Sequence, residues 1–391
     1  RFNKSKVFCM APWVSLNNNP NGDILPCCVA RDGVFGNLNQ DDIKDIWNNE
    51  KYKSFRKDML EEKQSPHCER CYKEEEWGST SNYRKYWNEL YYSRYDELIP
   101  KTNPDGSLDE MKLFRWDFRF NNLCNLACIG CGPDYSSSWV DLHKKMWPNG
   151  KESKIFSSRD KKEKFIETIK TQATNVDNIY FAGGEPLLDK SHAHMVEYVI
   201  DNNRSDQILL HYNTNGTIYA DRLIPLWNKF KQVELSFSID NIGSKFDYER
   251  YGGVWNDVVD VITQYKQLNP KIYKLNVFSV VTALNILDSY ELFQFCKDNQ
   301  LPIAFDVLDF PKELNIGLFN EKQKNYISTK LLGIQDEQFY KVIEPIVRLM
   351  KTRTIQCNVA SMINYLKVTD KIRQQDFKKT YTELSNIINW E

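Results

Sequence analysis

The sequence predicts an α/β protein: a parallel sheet wound as a partial (β/α)6 barrel, with a small cysteine-rich N-terminal region and a helical C-terminal extension. Three observations predict it. From about residue 111, apolar strand-length runs alternate with helix-length segments through six units. Eight of the ten cysteines fall into three groups: Cys9 with Cys27 and Cys28, Cys68 with Cys71, and Cys124 with Cys128 and Cys131. Beyond residue 311 no segment reads as a strand. The 391 residues, 41% hydrophobic, suffice for one large core and a smaller unit. The expected division is 1–105 for the cysteine-rich region and its linker, 106–311 for the barrel and 312–391 for the extension.

Taken in order, NNNPNGD at 17–23 is turn-rich, and Asn21 with Gly22 suits a hairpin between MAPWVSL and ILPCCVA. A helix is expected over about 41–60, where Asp41 and Asp42 favour its start and Ile43, Ile46 and Trp47 share a face. PHCERC makes a short cysteine loop, and KTNPDGSLDE reads as the linking turn. Strands are expected at 112–119, 177–181, 207–213, 233–239, 274–281 and 302–308. Crossover helices are expected near 133–146, 160–171, 190–201, 220–229, 255–267 and 286–298. The extension suggests two or three helices covering an edge or end of the sheet.

The 52 basic and 53 acidic residues nearly cancel, so no global field marks a nucleic-acid or membrane binder. No apolar run reaches the roughly 18 to 20 residues of a spanning helix, and RFNKSKVFCMAPW lacks the order of a signal peptide. The expectation is a cytoplasmic protein without membrane or nucleic-acid partners. In a reducing compartment, grouped thiols read as ligands to soft metals and iron-sulfur clusters.

The strongest signal is RFNNLCNLACIGCG, in which Cys124, Cys128 and Cys131 form CxxxCxxC directly after the first barrel strand. Three thiolates hold three corners of a [4Fe-4S] cluster and leave one iron open, whereas a structural zinc needs a fourth donor. With FAGGEPLL at 181–188, this motif resembles the radical S-adenosylmethionine (SAM) superfamily over most of residues 112–310. The resemblance implies that the open iron binds SAM's amino and carboxylate groups. The cluster then cleaves SAM to a 5′-deoxyadenosyl radical, which abstracts a substrate hydrogen. It further implies that Gly183, Gly184, Glu185 and Pro186 form the element meeting SAM's amino group. NTNG at 213–216 offers Asn213 and Asn215 to the SAM sugar or substrate, SFSID offers Ser238 to the ribose or carboxylate, and FDYERYGG offers Arg250 to the carboxylate. Asp240 is a candidate catalytic acid-base or substrate ligand, with helix capping as its structural alternative. Gly130 stands where the family often has an aromatic residue beside the adenine, so packing is expected from Trp139 or Tyr180.

Cys9, twelve residues, Gly22, four residues and Cys27, followed by GNL, DDIKDIW and the CxxC of Cys68 and Cys71, resemble the auxiliary-cluster modules called SPASM and twitch. Those modules ordinarily follow the barrel; here the matching segment precedes it. Cys9, Cys27, Cys68 and Cys71 supply ligands for one auxiliary [4Fe-4S] cluster, which points to the shorter, twitch-like form, with Cys28 competing for the second position. Structural zinc is the alternative for these donors.

Other groups read as structural. His67 is expected to bond near the front cysteines, His192 and His194 do not share a helix face, His211 is expected to pack in a strand, and Cys296 in the core. The aromatic and basic stretch at 77–95 is read as interdomain packing, with RNA or peptide binding as its alternative. Lys161, Lys162 and Lys164 are read as a solvated helix surface. The resemblance implies an oxidoreductase-type enzyme that most closely fits modification of a ribosomally made peptide and takes electrons from a flavodoxin- or ferredoxin-like donor. A dehydrogenase or mutase acting on a sugar, aminocyclitol or other small metabolite is the second reading, and a non-enzymatic electron carrier or binding protein the third.

Overall fold

The computed structural model describes residues 5–30, 33–76, 82–148, 150, 153–156, 174–202 and 204–390. The helix expected near 160–171 and the Lys161, Lys162 and Lys164 cluster lie outside the described residues.

The six expected strands form: β4 (Arg115–Phe118), β5 (Asn178–Phe181), β6 (Leu209–Thr214), β7 (Gln232–Ser238), β8 (Tyr273–Val281) and β9 (Ile303–Val307). They pair in chain order and all in parallel. Parallel neighbours require crossovers, and these carry helices at Trp139–Met146, Ser191–Asp201, Ile224–Trp227, Trp255–Tyr265 and Ser289–Asp298. Strand alternation sets the two faces of the sheet. In β6, Leu210, Tyr212 and Thr214 are buried beneath the helices, where Tyr212 stacks on Phe181 at 4.8 Å and accepts a 3.1 Å hydrogen bond from Trp227 Nε1. His211 and Asn213 alternate with them, and His211 Nε2 lies 2.9 Å from Ser236 Oγ on β7. The inward face is polar.

The front region joins this sheet. Its hairpin of β1 (Ser15–Asn18) and β2 (Asp23–Leu25) turns at Gly22, whose φ of +91° favours glycine. A short β3 (Gly36–Asn37) follows. β1 then pairs in parallel with β4, Ser15 opposite Arg115, giving the order β3-β2-β1-β4-β5-β6-β7-β8-β9. The other end of the sheet is met by the same region: Arg70 pairs with Asp306 of β9, and Tyr83 donates to it at 2.7 Å. The front region thus bridges the gap between the first and last barrel strands. The helix expected over 41–60 is two, Ile43–Trp47 and Glu50–Leu60, capped by Asp42 and Asn49 respectively. Arg56 is fully buried among them, donating to Pro12 O at 3.0 Å with Trp47 under its guanidinium.

The extension contains three longer helices, Glu321–Leu332, Glu337–Thr352 and Val359–Arg373, and two short ones, Phe377–Thr380 and Thr382–Ile387. Their apolar faces share a second core with Val281, Leu287 and Phe293 of the barrel. Among the described residues no helix is long and apolar enough to cross a membrane.

Candidate active site

The loop after β4 carries Cys124, Cys128 and Cys131, and its carbonyls are tied down individually. Ser138 Oγ donates to Cys124 O at 2.7 Å, Ser136 Oγ to Leu126 O at 2.6 Å and Trp139 Nε1 to Cys128 O at 2.8 Å. The C-terminal extension supplies two more clamps: Arg373 Nη2 to Ala127 O at 2.6 Å and Tyr365 OH to Ile129 O at 3.1 Å. A turn closed by Cys131 N to Cys128 O at 3.0 Å brings the last two thiols onto one side.

Donors face the sulfurs. Leu126 N lies 3.5 Å and Asn215 Nδ2 3.9 Å from Cys124 Sγ, and Arg250 Nη1 lies 3.7 Å from Cys128 Sγ. Burial pushes Cys124 and Cys131 up to about 12, and the neighbouring cysteines reinforce the shift. Thiolates here therefore call for compensating positive charge, which cluster iron provides. Among the described residues no three Cys, His, Asp or Glu side chains converge on a single ion position; ligands to a cube each take a different iron and need not converge. Three adjacent thiols with N–H donors turned toward sulfur fit such a cluster.

The glycine loop after β5 docks on this loop, backbone to backbone. Gly183 adopts φ +121°, and a Cβ on Gly184 would stand 2.0 Å from Leu123 O. Glu185 N donates to Leu123 O at 2.6 Å, and Pro186 opens a short helical turn. The Glu185 carboxylate, 1% exposed, is a strut. Oε1 accepts from Leu187 N and Thr214 Oγ1 at 3.0 and 2.9 Å, and Oε2 from Asn215 N at 2.6 Å. Burial outweighs these donors and pushes its pKa up to about 7.

The expected site residues separate into two sets. Asn215, Arg250 and Asp240 gather at the cysteine loop, Asp240 accepting from Arg250 Nη2 at 2.6 Å and from Val280 N at 2.8 Å. Both Asp240 oxygens are thus engaged. Asn213 and Ser238 lie along the barrel strands, in register with Ser236 and Phe278. Trp139 is 1% exposed beneath the cysteine loop, under the Arg373 guanidinium, and so cannot pack on an adenine. Tyr180 sits on β5 against Arg115 and His211. Leu308 instead covers Gly130, 3.6 Å from where a Cβ would stand.

Cys9, Cys27, Cys68 and Cys71 line one small pocket together with Met59 and Trp87. Cys28 does not line it. Cys68 ends a turn capped by Ser65, and Cys71 lies in the first turn of the Glu69–Glu76 helix. Burial pushes Cys68 up to about 12, against which the Arg84 charge acts. Arg84 is anchored by Phe8 O at 2.9 Å and Glu75. His67 packs on Phe35 and Phe55. In the 77–95 stretch, Trp87 and Tyr91 are buried and Arg94 lies over Phe114, as packing requires. His192 is buried between Phe181 and Tyr212, and Cys296 is in the core.

The sequence reading missed Thr214, the Ser136–Ser138 hydroxyls, Tyr365 and Arg373. The serines carried a signal, three hydroxyls directly after a cysteine loop rich in carbonyls. Tyr365 and Arg373 carried none.

A parallel barrel sheet that sets three clustered thiols against a glycine loop at its C-terminal rim is suited to holding an iron-sulfur cluster with one iron left open. Residues 118–291 match the family model described as radical SAM superfamily, and residues 9–72 match SPASM, described as an iron-sulfur cluster-binding domain. The chain thus carries a radical SAM domain and, ahead of it, a SPASM-type module. Family and domain imply a SAM-binding [4Fe-4S] cluster and auxiliary iron-sulfur binding. GTP 3′,8-cyclase from Desulforamulus reducens is 28% identical over 184 residues, 46% of this chain and 50% of that protein. The chain thus matches about half the length of this curated relative. Similar solved structures include native anSMEcpe with bound AdoMet, at 19% identity and TM-score 0.37 over 47% of this chain and 49% of that one. Streptococcus suis SuiB bound to precursor peptide SuiA is 14% identical with TM-score 0.37, over 88% and 72%.

Proposed function

We propose that this chain reductively cleaves SAM and uses the 5′-deoxyadenosyl radical to take a hydrogen atom from a substrate held inside the barrel. The observation that carries this reading is the grouping of Cys124, Cys128 and Cys131 on one loop, with Asn215 Nδ2 3.9 Å from Cys124 Sγ and Arg250 Nη1 3.7 Å from Cys128 Sγ. When bound, the cluster supplies the electron for SAM cleavage. The chain's own residues do the positioning. Gly183, Gly184, Glu185 and Pro186 present a narrow backbone surface to the amino group, and Arg250, oriented by Asp240, faces the carboxylate. Asn213, Asn215 and Ser238 serve the sugar and the substrate side, while Leu308 gives the adenine an apolar wall.

Cys9, Cys27, Cys68 and Cys71 are assigned to one auxiliary [4Fe-4S] cluster in a twitch-like module, accepting an electron from the substrate radical in oxidoreductase-type chemistry. Residues 1–105, 106–311 and 312–391 then serve as auxiliary-cluster region, SAM barrel and clamp. A flavodoxin- or ferredoxin-like protein is the proposed donor. A ribosomally made peptide is the leading substrate class, on the family resemblance. A sugar, aminocyclitol or other small polar metabolite is the second reading, favoured by the Asn, Ser, His and charged side chains that face the interior.

Anaerobic reconstitution tests this. About eight irons per chain, falling to about four when Cys124, Cys128 and Cys131 are all alanine, is the expected result, with 5′-deoxyadenosine formed only by the parent protein. About four falling to none, with zinc retained, would remove the auxiliary cluster from the scheme.

A further inference from the structure

β4 turns Arg115 and Asp117, at alternate positions, to one face of the sheet, and Arg119 follows directly after its end. Asp117 is 2% and Arg115 5% exposed. An arginine carries five N–H donors, and these two have few acceptors. Arg115 Nη1 donates to Tyr86 OH, and rings of Tyr86, Trp87 and Tyr180 surround its guanidinium at 5.4, 5.2 and 4.8 Å. Its buried Nε has no hydrogen bond. Among the described residues Arg119 has one ion-pair contact, Nε to Asp117 Oδ1 at 3.5 Å, too long for a hydrogen bond of good geometry. The Asn17 side-chain amide lies 2.7 and 3.2 Å from the two Asp117 oxygens and donates to them with its nitrogen turned toward the carboxylate. Among the described residues Asp117 is the ion-pair partner of Arg119, and Arg115 has no carboxylate within ion-pair distance. His211 adds no charge, because burial and the Arg115 charge hold it down to about 3. Glu234, three strands round the sheet, accepts from Asn276 at 2.7 Å and lies in electrostatic reach of Arg115 without pairing with it.

The place matters as much as the charge. Arg119 directly precedes the triad loop, in electrostatic reach of Cys28, the neighbour of Cys27, and of Tyr135, which is itself in reach of Cys131. Arg119 also touches both neighbouring elements: Asn18 of the front hairpin donates to its carbonyl at 3.0 Å, and a Cβ on Gly183 would stand 3.2 Å from its own Cβ.

We propose that the barrel interior recognises its substrate through an oxyanion, a carboxylate or a phosphate, bound by Arg119 with Arg115 behind it. The planar fork of a guanidinium matches either group with two parallel hydrogen bonds. This deepens the proposed function and rests on it for calling the ligand a substrate.

The test uses the reconstituted full chain with SAM bound, titrated calorimetrically with glutarate, glucose 6-phosphate and neutral glutaramide. Saturable binding of one anion, with glutaramide silent, is expected. Arg119→Gln should weaken it at least tenfold and Arg119→Lys by less, at unchanged iron content. Glutarate alone binding assigns a carboxylate, and glucose 6-phosphate alone a phosphate. Binding of neither anion, or equal binding by the parent and both variants, overturns the proposal. If Arg119→Gln does not fold, the comparison of Arg119→Lys with the parent decides. Measuring 5′-deoxyadenosine in parallel separates the two readings: anion binding without SAM cleavage refutes the enzymatic reading and leaves the anion site standing, and the converse refutes the anion site alone.

Discussion

Glu249 offers a quantitative test of how burial works around the SAM site. It is 2% exposed and closes the helix that precedes Arg250, and its backbone carbonyl accepts Ile129 N of the cysteine loop at 2.7 Å. Its carboxylate accepts from Tyr381 OH at 2.6 Å and from the Asn241 and Asn285 amides at 3.0 Å each. Burial, aided by the Asp240 charge, outweighs these donors and raises its pKa from 4.5 to about 7. The folded chain therefore holds this proton more tightly than the unfolded chain does. Stability from Glu249 is complete below about pH 4.5 and is lost as pH rises toward 7. About 2.5 pH units at about 1.36 kcal/mol each gives roughly 3 kcal/mol lost across that window. Glu249→Gln removes the titration while keeping a side chain of the same shape. Urea unfolding followed by circular dichroism from pH 5.5 to 8, on parent and variant side by side, isolates the effect because the other titrating groups cancel. The difference in unfolding free energy should slope by up to about 1.4 kcal/mol per pH unit below pH 7 and level off above it. Parallel curves over the whole range would show that Glu249 does not titrate there, and the burial argument would fail.

Gly184→Ala places a Cβ 2.0 Å from Leu123 O, forcing the two loops apart. The SAM dissociation constant should rise at least tenfold, about 1.4 kcal/mol, and unchanged binding would place SAM away from this contact. Arg373→Met removes the bond to Ala127 O, worth about 2 kcal/mol for a charged donor, so a chelator should strip iron from the triad several-fold to about 30-fold faster; equal rates would refute the clamp. Asp306→Asn leaves Arg70 without its charged partner on β9. Glu74 and Asp309 still face Arg70 at 3.0 and 3.6 Å, so a loss of about 1.5 kcal/mol is expected, read as a lower melting temperature with cleavage by protease between the front region and the barrel. A melting curve identical to the parent's would show that this bridge is not holding the two together.

The barrel was legible because its strands carry apolar runs of the right length, and all six formed within a few residues of expectation. The helix at 224–227 is shorter than its expected 220–229 because Pro225 sits at its start. The β1–β2 hairpin was legible from Asn21 and Gly22, but SLNN carries no apolar alternation to announce its parallel pairing with β4. The cysteine motifs placed both thiol groups on the page, since their spacing is local. Trp139 was misjudged as an adenine platform because an aromatic residue near a motif says nothing about which way its ring turns. Arg373 and Tyr365 lie more than 230 residues from the loop they hold, and only the packing of the extension brings them there.

That separation sets a timetable for synthesis. Arg70 lies 236 residues before its partner Asp306, and Ala127 lies 246 before Arg373. At roughly 5 to 20 residues per second, about 10 to 50 s pass between the making of each cysteine group and the arrival of the residue that secures it. A module that follows its barrel would find a finished surface to dock on. Here the front thiols wait for a strand not yet translated, so a nascent chain presents both cysteine groups on incomplete surfaces until Asp306 and Arg373 emerge.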